Sequence, residues 1–206
     1  MNGKFISIEG IEGAGKSTQL SFIQQVLNEQ GQKLVVTREP GGTQLGEQIR
    51  SLLLTPTDKP MATNTELLLM FAARAEHVEQ VIKPALNRGD WVLSDRFTDA
   101  TFAYQGGGRG IDQQRINELA KWTLNGLQPD LTLLFDLPVE LGQQRVLSRN
   151  QGIDRFEQEK VDFFEKIRAC YLQRAKVEPD RIKVIDTSQS IADIQVQLTK
   201  ILQNIN

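Results

Sequence analysis

The chain has 206 residues, with 24 Lys plus Arg against 26 Asp plus Glu, a formal net charge of −2, 39% apolar residues and 24% charged ones. This suits one globular α/β domain with a sizeable core and carries no electrostatic nucleic-acid footprint, so no nucleic-acid partner is expected. A lone cysteine, Cys170, excludes an intramolecular disulfide and argues against zinc, and the longest apolar run, 67–73, is too short to cross a bilayer.

A β-prone apolar run over 5–9 opens the chain. Its early start leaves no room for a signal peptide, so a reducing, cytoplasmic setting away from membranes is expected. The run feeds Gly10-Ile11-Glu12-Gly13-Ala14-Gly15-Lys16-Ser17, a complete G-x-x-x-x-G-K-[ST] loop, and a helical pattern spans 16–30. A strand, a Gly-rich turn and a helix N-terminus form an anion site, because turn N–H groups point inward and the helix dipole favours negative charge. Lys16 suits the β- and γ-phosphates of a nucleoside triphosphate, and the Ser17 hydroxyl suits Mg²⁺.

Strand 34–38 leads to Thr37-Arg-Glu-Pro-Gly-Gly-Thr43, a turn-rich loop that is weak evidence by itself, and helix 44–54 carries Arg50. Helix 64–88 contains Leu67-Leu-Leu-Met-Phe-Ala-Ala73 closed by Arg74, a cation that either snorkels to the surface or meets an anion. Met70 and Phe71 share its helix face and suit a nucleobase. His77 on the same helix reads as a surface or packing residue. Strand 91–95 ends in Asp95-Arg96-Phe97, where an acid near a phosphate loop is the usual second Mg²⁺ partner and Arg96 offers a bidentate donor to phosphate. Tyr104-Gln-Gly-Gly-Gly-Arg-Gly110 lacks a preceding buried strand and reads as a flexible surface turn.

Helix 112–125, strand 131–136 and helix 139–149 follow, then a polar segment holding Arg145, Arg149 and Arg155, helix 158–177 with Cys170 in its core face, strand 182–186 and helix 191–204. Arg145 and Arg149 stand at i, i+4, where like charges repel, which suggests an external anion; a solvated charged face is the alternative. The alternation predicts a three-layer α/β/α fold on a parallel sheet, one domain over 1–206, with Glu9, Arg38, Asp95 and Asp136 on the carboxyl rim where such sheets bind ligands. No Asn-Lys-x-Asp motif follows a strand, against a GTPase switch, and no G-x-G-x-x-G follows one, against a dinucleotide-binding domain. Another small nucleotide or nucleoside kinase, or a partner-activated ATPase, remains open on spacing alone.

The motifs together resemble bacterial thymidylate kinases: Ile8 to Ser17, Thr37 to Thr43, Arg50 to Leu54, Phe71 to Arg74, Asp95 to Phe97, Ala103 to Arg109 and Pro129 to Leu133, in order and over nearly the whole chain. The resemblance implies a five-stranded parallel sheet, a homodimer and transfer of the ATP γ-phosphate to dTMP with Mg²⁺, giving dTDP for dTTP synthesis. It places ATP on residues 10–18 (Gly10, Ile11, Glu12, Gly13, Ala14, Gly15, Lys16, Ser17 and Thr18) and on Arg145. It implies Mg²⁺ at Ser17 and Asp95, an acceptor-phosphate clamp of Arg50, Arg74 and Arg96, and further acceptor contacts from Glu39 and from Met70 or Phe71. Thr101 and Gln105 look like thymine readers beside Arg74, Tyr104 like the neighbour of the sugar 2′-carbon, and Glu12 like that of the deoxyribose and phosphate. Residues 143–156 resemble a lid whose Arg149 joins Lys16, Arg96 and Glu12 in catalysis, because the phosphate loop itself lacks a second basic residue.

Overall fold

The computed structural model of the chain describes residues 3–148 and 154–205. Strands β1 (Phe5–Glu9), β2 (Leu34–Arg38), β3 (Trp91–Asp95), β4 (Leu131–Asp136) and β5 (Ile182–Asp186) form one parallel sheet in the order β2-β3-β1-β4-β5. All five strand ranges coincide with the sequence expectation. Short apolar runs between turn residues behave as strands buried on both faces. The central strand β1 is buried throughout, and Ser7 and Thr132 satisfy each other inside the sheet at 2.8 Å. Ile6, Ile8 and Leu93 pack on one face with Ile23, Leu27 and Leu198, and Phe5 and Val92 on the other with Phe71, Ile82 and Ile116. This three-layer arrangement confirms the expected class.

Helices α1 (Lys16–Glu29), α2 (Gln44–Leu54), α3 (Thr63–His77), α4 (Lys83–Asn87), α5 (Thr98–Thr101), α6 (Gln113–Leu124), α7 (Val139–Leu147), α8 (Val161–Val177) and α9 (Ile191–Gln203) cover the sheet. The register sets Arg38 opposite Asp95 and Asp95 opposite Ile8, so the carboxyl ends of three strands meet at one rim.

Three expectations need correction. The single helix expected over 64–88 is α3 and α4 joined by a wide π-helical turn, Val78–Ile82. Pro84 has no N–H to donate and its ring crowds the carbonyl four residues back, which a widened turn relieves. Helix 158–177 begins only at Val161, because Asp154 Oδ1 accepts from the N–H groups of Phe156 and Glu157 while Glu157 accepts from the Asp154 N–H, a reciprocal cap on a separate turn. The stretch 104–110 is not a surface turn: Phe102–Gly108 is π-helical, and Tyr104, Gln105 and Gly106 are buried. Its glycines let it lie directly on α8, since a Cβ on Gly108 would stand 2.5 Å from the Phe163 ring and one on Gly107 2.8 Å from Cys170 Cβ. Cys170 is a core residue, as expected.

Candidate active site

The strand ends open into a cleft with a cavity volume of about 200 Å³. One end is the phosphate loop. Gly13 has φ 76° and its Cβ position lies 2.2 Å from the Gly142 carbonyl of α7, so only glycine allows this close approach. Lys16 Nζ donates to the carbonyls of Gly10 and Ile11, both at 2.9 Å, and burial followed by Arg96 pushes its ammonium down to about 8. A cation held with too little counter-charge favours an arriving phosphate.

Beside the loop stands Arg96, whose backbone takes a left-handed φ of 72°. Such strain in a non-glycine residue persists only where its surroundings impose it. Here the Arg96 N–H donates to Ile8 O at 2.9 Å, Ser94 Oγ donates to Arg96 O at 2.7 Å, and the next N–H, of Phe97, donates to the buried Glu9 carboxylate at 2.7 Å. The turn drives the guanidinium into the cleft, where Nη2 donates to Glu12 at 2.7 Å and to the Tyr104 hydroxyl at 2.9 Å. Tyr104 in turn donates to the second Glu12 oxygen at 2.6 Å. Burial works against the Arg96 charge, yet Tyr104, Glu12, Tyr171 and Asp95 more than compensate and hold its pKa well above the usual range.

Glu9 closes the back of this network, accepting from Tyr171 of α8 at 2.7 Å. Burial and the charge of Asp99 raise its carboxyl to about 8, although Arg96, Tyr171 and Phe97 pull the other way. A carboxyl raised from 4.5 to about 8 binds more protons folded than unfolded across that window, so its ionisation weakens the fold as pH rises from 4.5 and the loss is complete above about 8. Glu9→Gln mimics the protonated form. Its expected result is a flatter stability–pH curve, with a higher Tm than the wild type at pH 8.5 and little difference at pH 5. Parallel curves from thermal melts at several pH values would show that Glu9 does not titrate there.

At the far end, Arg74 is 2% exposed and lies between the rings of Phe71 and Phe97, at 5.1 and 5.4 Å. Its Nε donates to Glu39 at 2.7 Å and its Nη2 to the Phe97 carbonyl at 3.1 Å. Glu39 is gripped from behind by His77 Nδ1 at 2.9 Å, and His77 Nε2 meets the Thr37 hydroxyl at 2.6 Å. The packing role expected of His77 is therefore also a polar one. Arg50 Nη1 donates to Pro40 O at 2.9 Å, and burial, then Arg38, lowers its guanidinium pKa, again a cation short of counter-charge.

Among the described residues, five buried side-chain atoms have no hydrogen-bond partner, Gln19 Oε1, Arg74 Nη1, Asp95 Oδ1, Thr98 Oγ1 and Arg155 Nη2, and of these residues Arg74 and Asp95 line the cleft. One is a donor lacking an acceptor, the other an acceptor lacking a donor or cation. Such atoms are costly in a folded protein, and on the wall of a cleft a ligand can answer them.

The cleft brings together Glu12, Gly13, Ala14, Gly15, Lys16, Ser17, Glu39, Arg50, Met70, Arg74, Asp95, Arg96, Thr101, Tyr104 and Gln105. Of the pair left open, Met70 lines it, whereas Phe71 is buried in the core beneath Arg74. Gly10, Ile11 and Thr18 do not line it, and Arg145 sits behind the loop, donating to the carbonyls of Gly13 and Thr187 at 3.2 Å each. Arg149 lies outside the described residues. Arg155 is not an open flap cation: it donates to Glu66 at 2.6 Å and to Leu53 O at 2.7 Å. Arg38 and Asp136 pair with Glu47 and Arg168, away from the cleft. Sequence reasoning missed Phe156, which packs edge-on to Tyr104 at 5.8 Å, and Tyr171. The Asp-x-x-Glu capping pattern at 154–157 was the available signal for Phe156, whereas nothing local marks Tyr171.

A phosphate loop on a β2-β3-β1-β4-β5 parallel sheet, facing an arginine-lined second pocket in the same cleft, defines a phosphate-loop kinase of small molecules. The thymidylate kinase family model matches residues 8–198. The chain is 55% identical over 205 residues to the thymidylate kinase of Pseudomonas syringae pv. tomato, spanning 100% of this chain and 97% of the relative. It is 57% identical over 204 residues to that of Janthinobacterium sp. (strain Marseille), spanning 99% and 98%. The crystal structure of thymidylate kinase from Ehrlichia chaffeensis superposes with a TM-score of 0.78 at 33% identity, over 98% of this chain and 99% of that one. The chain belongs to the thymidylate kinase family.

Proposed function

We propose that this chain transfers the γ-phosphate of ATP to dTMP, giving dTDP, with Mg²⁺ as cofactor and as a homodimer in the cytoplasm. The pairing of unanswered groups in one cleft carries the reading: Arg74 Nη1 awaits an acceptor at the monophosphate end, and Asp95 Oδ1 awaits a cation at the phosphate-loop end. The acceptor phosphate is already anionic at neutral pH, so transfer needs alignment and charge neutralisation rather than a strong base. Lys16 answers the donor phosphates, Arg96 and Arg50 the acceptor phosphate, and Glu12 with Tyr104 fixes where the Arg96 fork points. Arg149 is assigned to the transferring phosphoryl group from its sequence position.

Ser17 and the free oxygen of Asp95 are oxygen donors of the kind Mg²⁺ takes, and these two residues would hold it. Bound there, the ion supplies charge neutralisation on the phosphates. The dimer is supported by Leu45 and Leu52 of α2 and Leu68 of α3, which are 46%, 60% and 56% exposed on adjoining helices. A monomer mass by light scattering would overturn it. No helix among the described residues is long and apolar enough to cross a membrane; cell fractionation tests the proposed compartment. A coupled assay with dTMP and other monophosphates tests the activity: efficient turnover of another monophosphate without dTMP turnover would sink the reading.

Tyr104 gives a sharper test of the acceptor. Its ring is 6% exposed and its hydroxyl is engaged by Glu12 and Arg96, so the ring has no freedom to withdraw from a ribose 2′-hydroxyl. Burying that hydroxyl without a partner costs about 1–3 kcal/mol, roughly ten- to hundredfold in kcat/KM. The expected result is a strong preference for dTMP over its 2′-hydroxy counterpart, kept in Tyr104→Phe and narrowed in Tyr104→Ala. A ratio unchanged in all three proteins would leave Tyr104 a core aromatic.

A further inference from the structure

Glu66, in the first turn of α3, is 1% exposed and lies outside the phosphate loop and the arginine clamp. Its Oε1 accepts from Gln105 Nε2 at 2.9 Å and from Arg109 Nε at 3.3 Å, and its Oε2 accepts from Arg155 Nη1 at 2.6 Å. An ionised carboxylate only accepts hydrogen bonds. The two ends of a glutamine amide have the same shape, but here the chemistry decides between them, because only the NH₂ end can face Glu66. Gln105 is 1% exposed and lines the cleft, and among the described residues its carbonyl oxygen receives no donor. The polar atom it has left for a ligand is an acceptor.

We propose that Glu66 is a positioning residue that sets the base specificity of the acceptor site, by holding the Gln105 amide with its carbonyl oxygen available to the nucleobase. The inference rests on the dTMP reading above. A carbonyl there accepts an imide N3–H, which thymine and uracil carry. Cytosine presents a lone pair at N3, and two acceptors facing each other in a buried site leave both unpaired. The hold is stiff. Arg155 donates its Nε to Leu53 O at 2.7 Å and its N–H to Leu54 O at 3.1 Å, answering carbonyls at the end of α2 that no helical N–H can reach. Arg109, on the other side, is shared with Glu159 and lies over Phe163 at 4.6 Å. Glu66 therefore does not swing away to let the amide turn over.

The experiment measures kcat/KM for dTMP, dUMP and dCMP in the wild type, Glu66→Gln and Glu66→Asp. Glutamine at this position donates as well as accepts, so the Gln105 amide is free to invert. The expected result is a fall of about tenfold or more in the dTMP-to-dCMP ratio, with the dTMP-to-dUMP ratio unchanged, because both of those bases carry N3–H. Glu66→Asp keeps the charge between the two arginines but retracts it from Gln105, and is expected to move the ratio in the same direction if Glu66→Gln does not fold. Equal loss on all three acceptors, with both ratios unmoved in a folded variant, shows a structural role only and overturns the proposal. Absence of dTMP turnover in the wild type would instead overturn the reading of the site itself.

Discussion

Lys16→Ala is expected to lower kcat by at least about a hundredfold while leaving the melting temperature unchanged or slightly raised. The ammonium donates to two loop carbonyls, Gly10 O and Ile11 O, in a region already desolvated enough to push its pKa down to about 8. A desolvated cation is a cost to the folded state, so removing it relieves the fold as much as it deprives two carbonyls at the edge of an open cleft. The same features make it effective once a triphosphate is bound: the charge is pre-placed, and little water has to be reorganised around it. Steady-state kinetics beside a thermal melt separates the two effects. Near-normal kcat in a folded variant would remove the donor phosphates from this loop.

Arg74→Ala is expected to raise KM for dTMP by about tenfold or more and to leave KM for ATP nearly unchanged, because Nη1 is the free donor at the acceptor end and touches nothing near the phosphate loop. It is also expected to destabilise the protein by about 3–5 kcal/mol, since Glu39, 4% exposed, is left with His77 as its side-chain partner. Combining it with Glu39→Gln removes the stranded charge and is expected to recover part of the stability without recovering the KM. A kinetic change confined to ATP, or a double variant that regains dTMP affinity, would show that Arg74 acts only through packing.

The strands were legible because each is a short apolar run whose neighbours are turn formers, and that pattern is local. The phosphate loop was legible because its chemistry needs glycines, a lysine and a hydroxyl at set spacings beside a strand and a helix, all within about a dozen residues. Arg74 and Asp95 were legible as charges at the end of apolar segments. The Gly-rich stretch at 104–110 misled for the opposite reason. Glycine alone signals freedom, and only the presence of α8 shows that Gly107 and Gly108 serve close packing.

What the amino-acid order settled by itself was thus the sheet, the donor loop and the family to which the chain belongs. What the tertiary structure decided was which charges face the cleft. Arg74, Arg96, Arg145 and Arg155 look equivalent as letters, yet Arg145 is held by two carbonyls behind the loop and Arg155 by Glu66 and the end of α2, away from the cleft wall, while Arg96 and Arg74 line the cleft and Arg74 keeps one nitrogen there without a partner. Those partners lie up to 132 residues away along the chain. A cation's availability depends on the acceptors that folding brings to it and on how much water folding removes. Both are properties of the packed molecule, not of any window of its sequence.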